Sequence, residues 1–240
     1  MAIRSVCQAA CSLALFLAGV GSCTAATFQI SPVTASLSTG HRIAAFVVRN
    51  TSDKATTIQL RTVSWSQANG EDAFASTQEI LATPPISTIP PGGRQIVRVG
   101  ILHEQPDRTE RAYRLFVREV PSAPTTGKTG LRVVLEMSLP IFVEPAVMGS
   151  PRLSWSATRP DGRHVRIQVR NEGTRHVHLA HVQLQAAHGQ KLPISPDPAY
   201  VLPGSSHTWL VDAPVTMQAL TLTATNDGSL LQAQMAIASQ

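Results

Sequence analysis

Along residues 28–238 apolar side chains recur at every second position in short stretches. Each stretch is cut by proline, glycine or a cluster of Asn, Asp, Ser and Thr. A period of two sends alternate residues to opposite faces of an extended chain, so these stretches predict strands rather than helices. In the first half they are residues 42–50 (RIAAFVVRN), 56–65 (TTIQLRTVSW), 94–100 (RQIVRVG), 113–120 (YRLFVREV) and 131–143 (LRVVLEMSLPIFV), the last being the longest. Residues 28–38 alternate weakly around Pro32, which argues for an edge strand or a bulge. Residues 80–86 (ILATPPI) are extended, because a residue preceding proline is pushed out of the helical region. The remainder of this half reads as connections: a polar loop at 66–74, a turn at 89–93, and a Ser/Pro/Thr/Gly loop with Lys128 at 121–130. The second half repeats the style at 152–157, 164–171, 176–185, 207–211, 217–224 and 230–238. Short strands at such spacing predict an all-β protein of two sandwich domains, residues 27–145 and 146–240.

Residues 1–26 follow another grammar. One charge, Arg4, precedes the apolar run 13–20 (LALFLAGV), and small residues follow at 22–26. The run is shorter than the roughly 20 apolar residues of a membrane helix. The segment is therefore expected to be a secretory signal peptide, cleaved after Ala26 or Ala25. A lipoprotein signal is the rival, since 20–22 (VGS) precede Cys23. Cys7, Cys11 and Cys23 all lie in this leader, so a mature chain has no disulfide, thiol chemistry or cysteine metal site. A charged fraction of 15% with 17 Pro and 15 Gly excludes a coiled coil and a charged disordered tail. The net charge of +5 suits an acidic partner, but it is too scattered for a nucleic-acid footprint. The chain holds no G-x-G-x-x-G, Walker or G-x-S-x-G sequence. It is expected to be no enzyme and to use neither ATP nor a cofactor.

The stretch 131–139 puts Leu131, Val133, Leu135, Met137 and Leu139 on one face, with Arg132, Val134, Glu136 and Ser138 on the other. One reading is a core strand with a polar back. The other is an edge strand whose apolar row is kept for a partner. Edge strands normally carry charges that block pairing, and a long apolar edge suits β-augmentation by a foreign strand.

Three segments in order decide between these readings. Residues 81–86 (LATPPI) with 89–92 (IPPG) and 97–99 (VRV), then 116–121 (FVREVP), then 131–145 resemble the periplasmic chaperones of the chaperone–usher pathway, which assemble pili and fimbriae. The likeness covers most of residues 28–145. It is weaker beyond 150, where Asn171, Asn226 and Asp227 carry it. It implies a periplasmic boomerang of two immunoglobulin-like domains. Its clients are pilus or fimbrial subunits that lack their last strand. The chaperone lends its own strand, here Leu131, Val133, Leu135 and Met137, and delivers the client to an outer-membrane usher. Self-association of the free protein through the same edge is left open. The alternative is an exported two-domain adhesin or binding module, and the scatter of 3 Trp, 2 Tyr and 6 Phe along the chain weighs against a sugar-stacking platform.

The chain departs from that pattern at one place. The family's Arg in the first strand and Lys in the seventh, which grip the subunit's C-terminal carboxylate, align with Thr34 and Pro140. With no loop disulfide either, the chain looks more like the archaic branch of Csu and spore-coat-U type. A carboxylate still needs a cation to be held firmly. If Tyr113, Leu115 and Val117 face the core, Arg114 faces the cleft and is the choice; Arg98, Lys128, Arg118 and Arg132 are substitutes. The resemblance also implies an interdomain role for Glu110 and Asp227. The usual basic partner at the hinge is replaced by Glu144, so these carboxylates lack an evident cation. His176, His178 and His181 form H-x-H-x-x-H, and alternation puts the first two on one face, as some zinc sites require. No cysteine supports a metal there, and strand-surface histidines are the expectation.

Overall fold

The computed structural model describes residues 28–103, 107–121, 133–186, 189, 191–192 and 197–239. The leader, Lys128, Leu131 and Arg132 lie outside the described residues, so the readings placed on them are not addressed.

Among the described residues, ten strands precede residue 144: β1 (Phe28–Ser31), β2 (Ala35–Leu37), β3 (Ile43–Asn50), β4 (Thr56–Ala68), β5 (Glu71–Ser76), β6 (Ile80–Thr83), β7 (Ile86–Ile89), β8 (Arg94–Ile101), β9 (Arg111–Val120) and β10 (Glu136–Val143). They form two sheets, β1-β3-β8-β6 and β2-β10-β9-β4-β5, with β7 beside β4. Alternation does the building. Phe46 and Val48 of β3, Val97 and Val99 of β8, and Leu115 and Val117 of β9 all point inward and are fully buried.

Seven strands follow: β11 (Leu153–Arg159), β12 (His164–Asn171), β13 (Val177–Ala186), β14 (Ala199–Val201), β15 (Ser206–Asp212), β16 (Ala219–Asn226) and β17 (Ser229–Ser239). Their order is β14-β13-β16-β17-β11-β12-β15. Two layers meet through a short parallel seam, where Ala157, Thr158 and Arg159 face Ile237, Ala238 and Ser239. Val165, Ile167, Val169, Leu179 and Leu222 fill this second core. The described residues hold no helix. None of their elements is a helix long and apolar enough to cross a membrane.

One device recurs in both sandwiches. Asn50 ends β3 and Asn171 ends β12, each within V-R-N, and both are fully buried. Asn50 Nδ2 donates to the carbonyls of Lys54 at 2.7 Å and Ile89 at 2.9 Å, while its Oδ1 accepts from Ser52 N. Asn171 Nδ2 donates to Arg175 O at 2.7 Å and Val201 O at 3.0 Å, and its Oδ1 accepts from Gly173 N and Arg152 N. A buried amide saturated in this way ties a turn to its neighbours.

Four sequence expectations need correction. Residues 66–74 are not a loop: β4 runs on to Ala68, Asn69 (φ 56°) and Gly70 (φ 84°) make a tight turn, and β5 returns antiparallel. Asn-Gly is the usual sequence of such a hairpin turn, and it is the signal here that a polar stretch returns as a strand. Residues 28–38 split at Pro32 into β1 and β2, which lie in different sheets. The longest strand is β4, with 13 residues, not 131–143. The regular ladder of β10 starts only at Glu136, across from Arg118, with one further bond from Glu119 N to Leu135 O at 2.9 Å. The brief strand β14 falls in a stretch with no strand expectation.

Candidate functional site

The first sandwich is open along one side. β9 covers one edge of β10 throughout. The other edge is covered only at Ile141, Phe142 and Val143, which pair in parallel with Ala35, Ser36 and Leu37. Among the described residues nothing else pairs with this edge, so residues 136–140 stand open. β1, facing them from the other sheet, is also terminal and pairs only with β3. Between the two edges lies a cleft of about 470 Å³, lined by Phe28, Gln29, Ile30, Ser31, Val47, Arg49 and Met137.

The apolar row beside this cleft is only partly free. Met137 pairs with Val117 and shares its inward face; Met137 and Leu135 are half-buried against the domain's own core. Val133 is 78% exposed. The row thus sits at the rim of the sandwich, its lower members leaning inward and its upper member free.

Arg114 occupies the opposite face of the same sheet, toward the second domain. Register places it directly beside Pro140 on β10 and Val63 on β4. Thr34 Oγ1 donates to Pro140 O at 3.4 Å. The guanidinium therefore stands one strand across from the Thr34 and Pro140 positions. Its carbon is 3.7 Å from the Trp65 ring centre and 5.5 Å from that of Tyr200. Asp72 is 3.8 Å away. Arg114 Nε is buried with no hydrogen-bond partner. Burial pulls the Arg114 pKa below its ordinary value, and Asp72 opposes this. A guanidinium within about 6 Å of an indole centre is attracted to the ring's negative face.

The other candidates are dispersed. Arg118 lies on the Arg114 face at the far end of β9, paired across from Glu136. Arg98 is on β8, exposed on the outer face of the other sheet, so it does not stand near Arg114.

The domain contact has the cations that the sequence reading lacked. The Glu110 side chain is fully buried, and His176 donates to its Oε1 twice, from the backbone at 3.0 Å and from Nδ1 at 2.6 Å. Arg175 Nε lies 3.5 Å from Glu110 Oε2, and its Nη2 lies 3.5 Å from Glu144. Arg175 thus bridges both carboxylates. His176 stacks on Phe142 at 3.5 Å, and His178 stacks on Tyr200 at 4.1 Å. Gln67 adds bonds of 2.9 Å to Tyr200 O and from Leu202 N. Asp227 sits in the β16–β17 turn, where its charge acts on His178 and Tyr200; among the described residues no ion pair joins it to Glu110. Burial lowers the His178 pKa, with His176 and Arg114 adding to the effect and Asp227 opposing it. His176 and His178 are thereby engaged with Glu110 and Tyr200. His181 stands at a bulge with φ 50°, its Nδ1 3.1 Å from Thr225 Oγ1.

Sequence reasoning missed Trp65, Tyr200, Asp72 and Arg175. Trp65 was legible as a strand residue, but nothing local tells that its ring lies under Arg114. Arg175 directly precedes His176, and only the fold brings it to Glu110.

Family models match two consecutive segments: the pili and flagellar-assembly chaperone PapD N-terminal domain at residues 27–149, and the pili assembly chaperone PapD C-terminal domain at 150–229. No curated protein matches the chain. Among solved structures, it is similar to a chain of the CsuC–CsuE chaperone–tip adhesion subunit complex from the archaic Csu pili of Acinetobacter baumannii. That match has 21% identity, covers 90% of this chain and 100% of that one, and has a TM-score of 0.67. The YadV chaperone matches at 18% identity and TM-score 0.63, covering 87% and 98%. The Salmonella enterica SafA–SafB pilin–chaperone complex matches at 15% and 0.61, covering 86% and 95%.

Proposed function

The chain is a pilus-assembly chaperone of the PapD family, and from that premise we propose that it caps each client subunit with the open edge of β10. Proteins of this family are periplasmic and act without catalysis. For this chain, export by the leader and delivery of the client to an outer-membrane usher belong to the proposal.

The supporting observation is the unpaired side of the first sandwich, between β1 and residues 136–140 of β10. A client strand laid there gains backbone hydrogen bonds that β2 leaves unmade, and the client receives Val133, Leu135 and Met137 in exchange. Burying an exposed apolar side chain contributes roughly 1.5–3 kcal/mol, so one free and two half-free residues supply about 3–6 kcal/mol before ordering costs. Leu131 continues this row in the proposal. The client's C-terminal carboxylate is held by Arg114, whose Nε lacks a partner among the described residues and whose carbon lies 5.5 Å from the Tyr200 ring centre.

The test is co-purification of the client from periplasmic extracts. Val133→Asp changes a side chain that is 78% exposed, so folding is retained while client yield is expected to fall at least tenfold. Met137→Asp is expected to abolish capture and to lower the melting temperature as well, because Met137 leans on the core. Unchanged yield with Val133→Asp overturns the edge assignment. An exported adhesin would retain no client in either case.

A further inference from the structure

The second sandwich repeats the open side of the first. Its last strand, β17, pairs with β16 along one edge, and with β11 along the other only at Ile237, Ala238 and Ser239. β10 is covered in the same way, by three residues of β2. Among the described residues nothing else pairs with β17, so residues 229–236 keep a bare edge that takes no part in capping the client. One bond tells which backbone groups are bare. Ile237 N donates to Gln218 O, on the β16 side, at 2.8 Å. Backbone groups alternate in direction along an antiparallel strand, so those of Leu230, Gln232, Gln234 and Ala236 point to the open side. A cleft of about 230 Å³ lies behind this edge, lined in part by Leu153 and Trp155 of β11 and by Leu231 and Ala233 of β17.

Edge strands are normally protected by a charge, a proline or a bulge. Residues 229–239 (SLLQAQMAIAS) hold no charged residue and no proline, and the register with β16 runs from Asn226 and Ser229 to Ala219 and Ala236 without a shift. Three features say what fits this edge. The segment Leu231-Gln232-Ala233-Gln234-Met235 reads alike in both directions: apolar, Gln, Ala, Gln, apolar. Opposite residues of an antiparallel pair share one face. A second copy turned end to end about Ala233 therefore sets Gln232 against Gln234 twice and Leu231 against Met235 twice. A carboxamide carries both donor and acceptor, so Gln is its own complement. The register also matches the bare backbone groups: Gln232 opposite Gln234 and Leu230 opposite Ala236 bring only outward-pointing residues face to face. On the outer face, Gln232 and Gln234 end two uncharged rows, Gln183-Thr223-Gln232 and Gln185-Thr221-Gln234, which a second copy joins end to end.

We propose that β17 is a self-recognition edge whose partner is a second copy of this chain, paired antiparallel about Ala233 across a twofold axis. The contact is isologous, each copy offering the same strand. Residues 230–236 of both copies form the ladder, with about eight backbone hydrogen bonds, and the two β14-β13-β16-β17 layers become one continuous sheet. Leu231 and Met235 meet beside the cleft. The open edge of β10 lies in the first domain, so the pairing does not compete with a client for the same strand. One strand pair buries less than the roughly 1,600 Å² of a standard interface, so the dimer is weak, with a Kd on the order of 10–100 μM.

The test is sedimentation velocity of the purified protein without client, from low micromolar to submillimolar concentration. The dimer fraction is expected to rise across this range. Gln232→Lys/Gln234→Lys sets like charges opposite each other in both pairs and is expected to weaken association at least tenfold. Gln232→Lys/Gln234→Glu sets each Lys opposite a Glu of the other copy. It is expected to associate at least as well as the parent at low salt and less well at high salt. Gln168→Lys/Gln183→Lys, equal in charge to the first variant but placed on β12 and β13, is expected to match the parent. All four glutamines are exposed, and circular dichroism checks that each variant is folded. Client co-purification is expected to be unchanged by the β17 variants, so the two edges are tested separately. A parent that stays monomeric throughout overturns the proposal, as does equal association of the Lys/Lys variant and the control. A Lys/Glu variant as weak as the Lys/Lys variant overturns the pairing about Ala233. A parental dimer that survives Lys/Lys but is lost with Val133→Asp forms through β10, and the β17 assignment is then wrong.

Discussion

The anchor proposed for the client's C-terminus rests on a single guanidinium. Thr34 and Pro140 cannot carry charge, yet Arg114 is the cross-strand neighbour of Pro140. The Trp65 ring centre lies 3.7 Å from its carbon and Asp72 3.8 Å from its Nη2, while Nε has no hydrogen-bond partner among the described residues. A hydrogen bond to a charged group contributes roughly 1.5–3 kcal/mol. Arg114→Ala is therefore expected to weaken capture of a client with a free C-terminus by about 10–100-fold. The same substitution leaves capture of a C-terminally amidated client nearly unchanged. Equal effects on both clients in a binding titration would move the anchor elsewhere. Asn171 makes a second residue-scale case. Asn171→Ala removes two donated and two accepted bonds in a fully buried place, and unsatisfied buried groups cost about 1–3 kcal/mol each. A loss of roughly 2–4 kcal/mol is expected in urea unfolding, where a loss below about 1 kcal/mol would show that the amide is not a staple.

At the scale of the element, β10 shows why a pattern overstates a strand. Apolar alternation continues upstream of Glu136, but β2 has not begun on one side, and on the other a single bond from Glu119 N to Leu135 O continues the ladder with β9. Alternation records which face is apolar, whereas regular strand geometry also needs a partner. In this protein the partner proposed for those residues is the client itself. The β4–β5 hairpin has the opposite history. Its polar composition read as a loop, yet Asn69 and Gly70 both take positive φ and return the chain as β5. Gly70 has φ 84°, a conformation that costs an L residue about 1–2 kcal/mol. Gly70→Val is expected to lower stability by that amount, measured by thermal melting. The tip lies against Ser206, so the same variant is expected to loosen the Gln67 bonds to Tyr200 and Leu202, seen as faster amide exchange at Leu202.

Across the whole molecule the two sandwiches are joined by charge and by rings. Glu110 reaches out of the first domain, and Arg175 and His176 meet it from the second. Gly173 lets the linker pass close by, and a Cβ at that position would overlap the backbone of Ser150 and Arg152. Acidity acts on the same contact. Burial lowers the pKa of His178 and of His207 from 6.5, with Asp72 opposing the effect at His207. The folded protein therefore favours neutral imidazoles, while the unfolded chain takes up protons below about pH 6.5. Stability from these two groups is present above that pH and is lost as the pH falls through it. The melting temperature is expected to drop between pH 7 and pH 5, and His178→Gln/His207→Gln is expected to flatten that drop. A parental melting temperature independent of pH across this window would contradict the linkage.

What the residues determined alone was the local geometry. A period of two, broken by proline and glycine, specifies strands and their faces because side-chain alternation is a property of the extended backbone. It also specified which face of β9 carries Arg114. What only the tertiary structure decided was adjacency between distant segments: which edge of β10 stays bare, that Trp65 lies under Arg114, and that Arg175 bridges Glu110 and Glu144. The physical reason is that edges, ring stacks and ion pairs depend on where a second segment stops or arrives, and no local pattern carries that information.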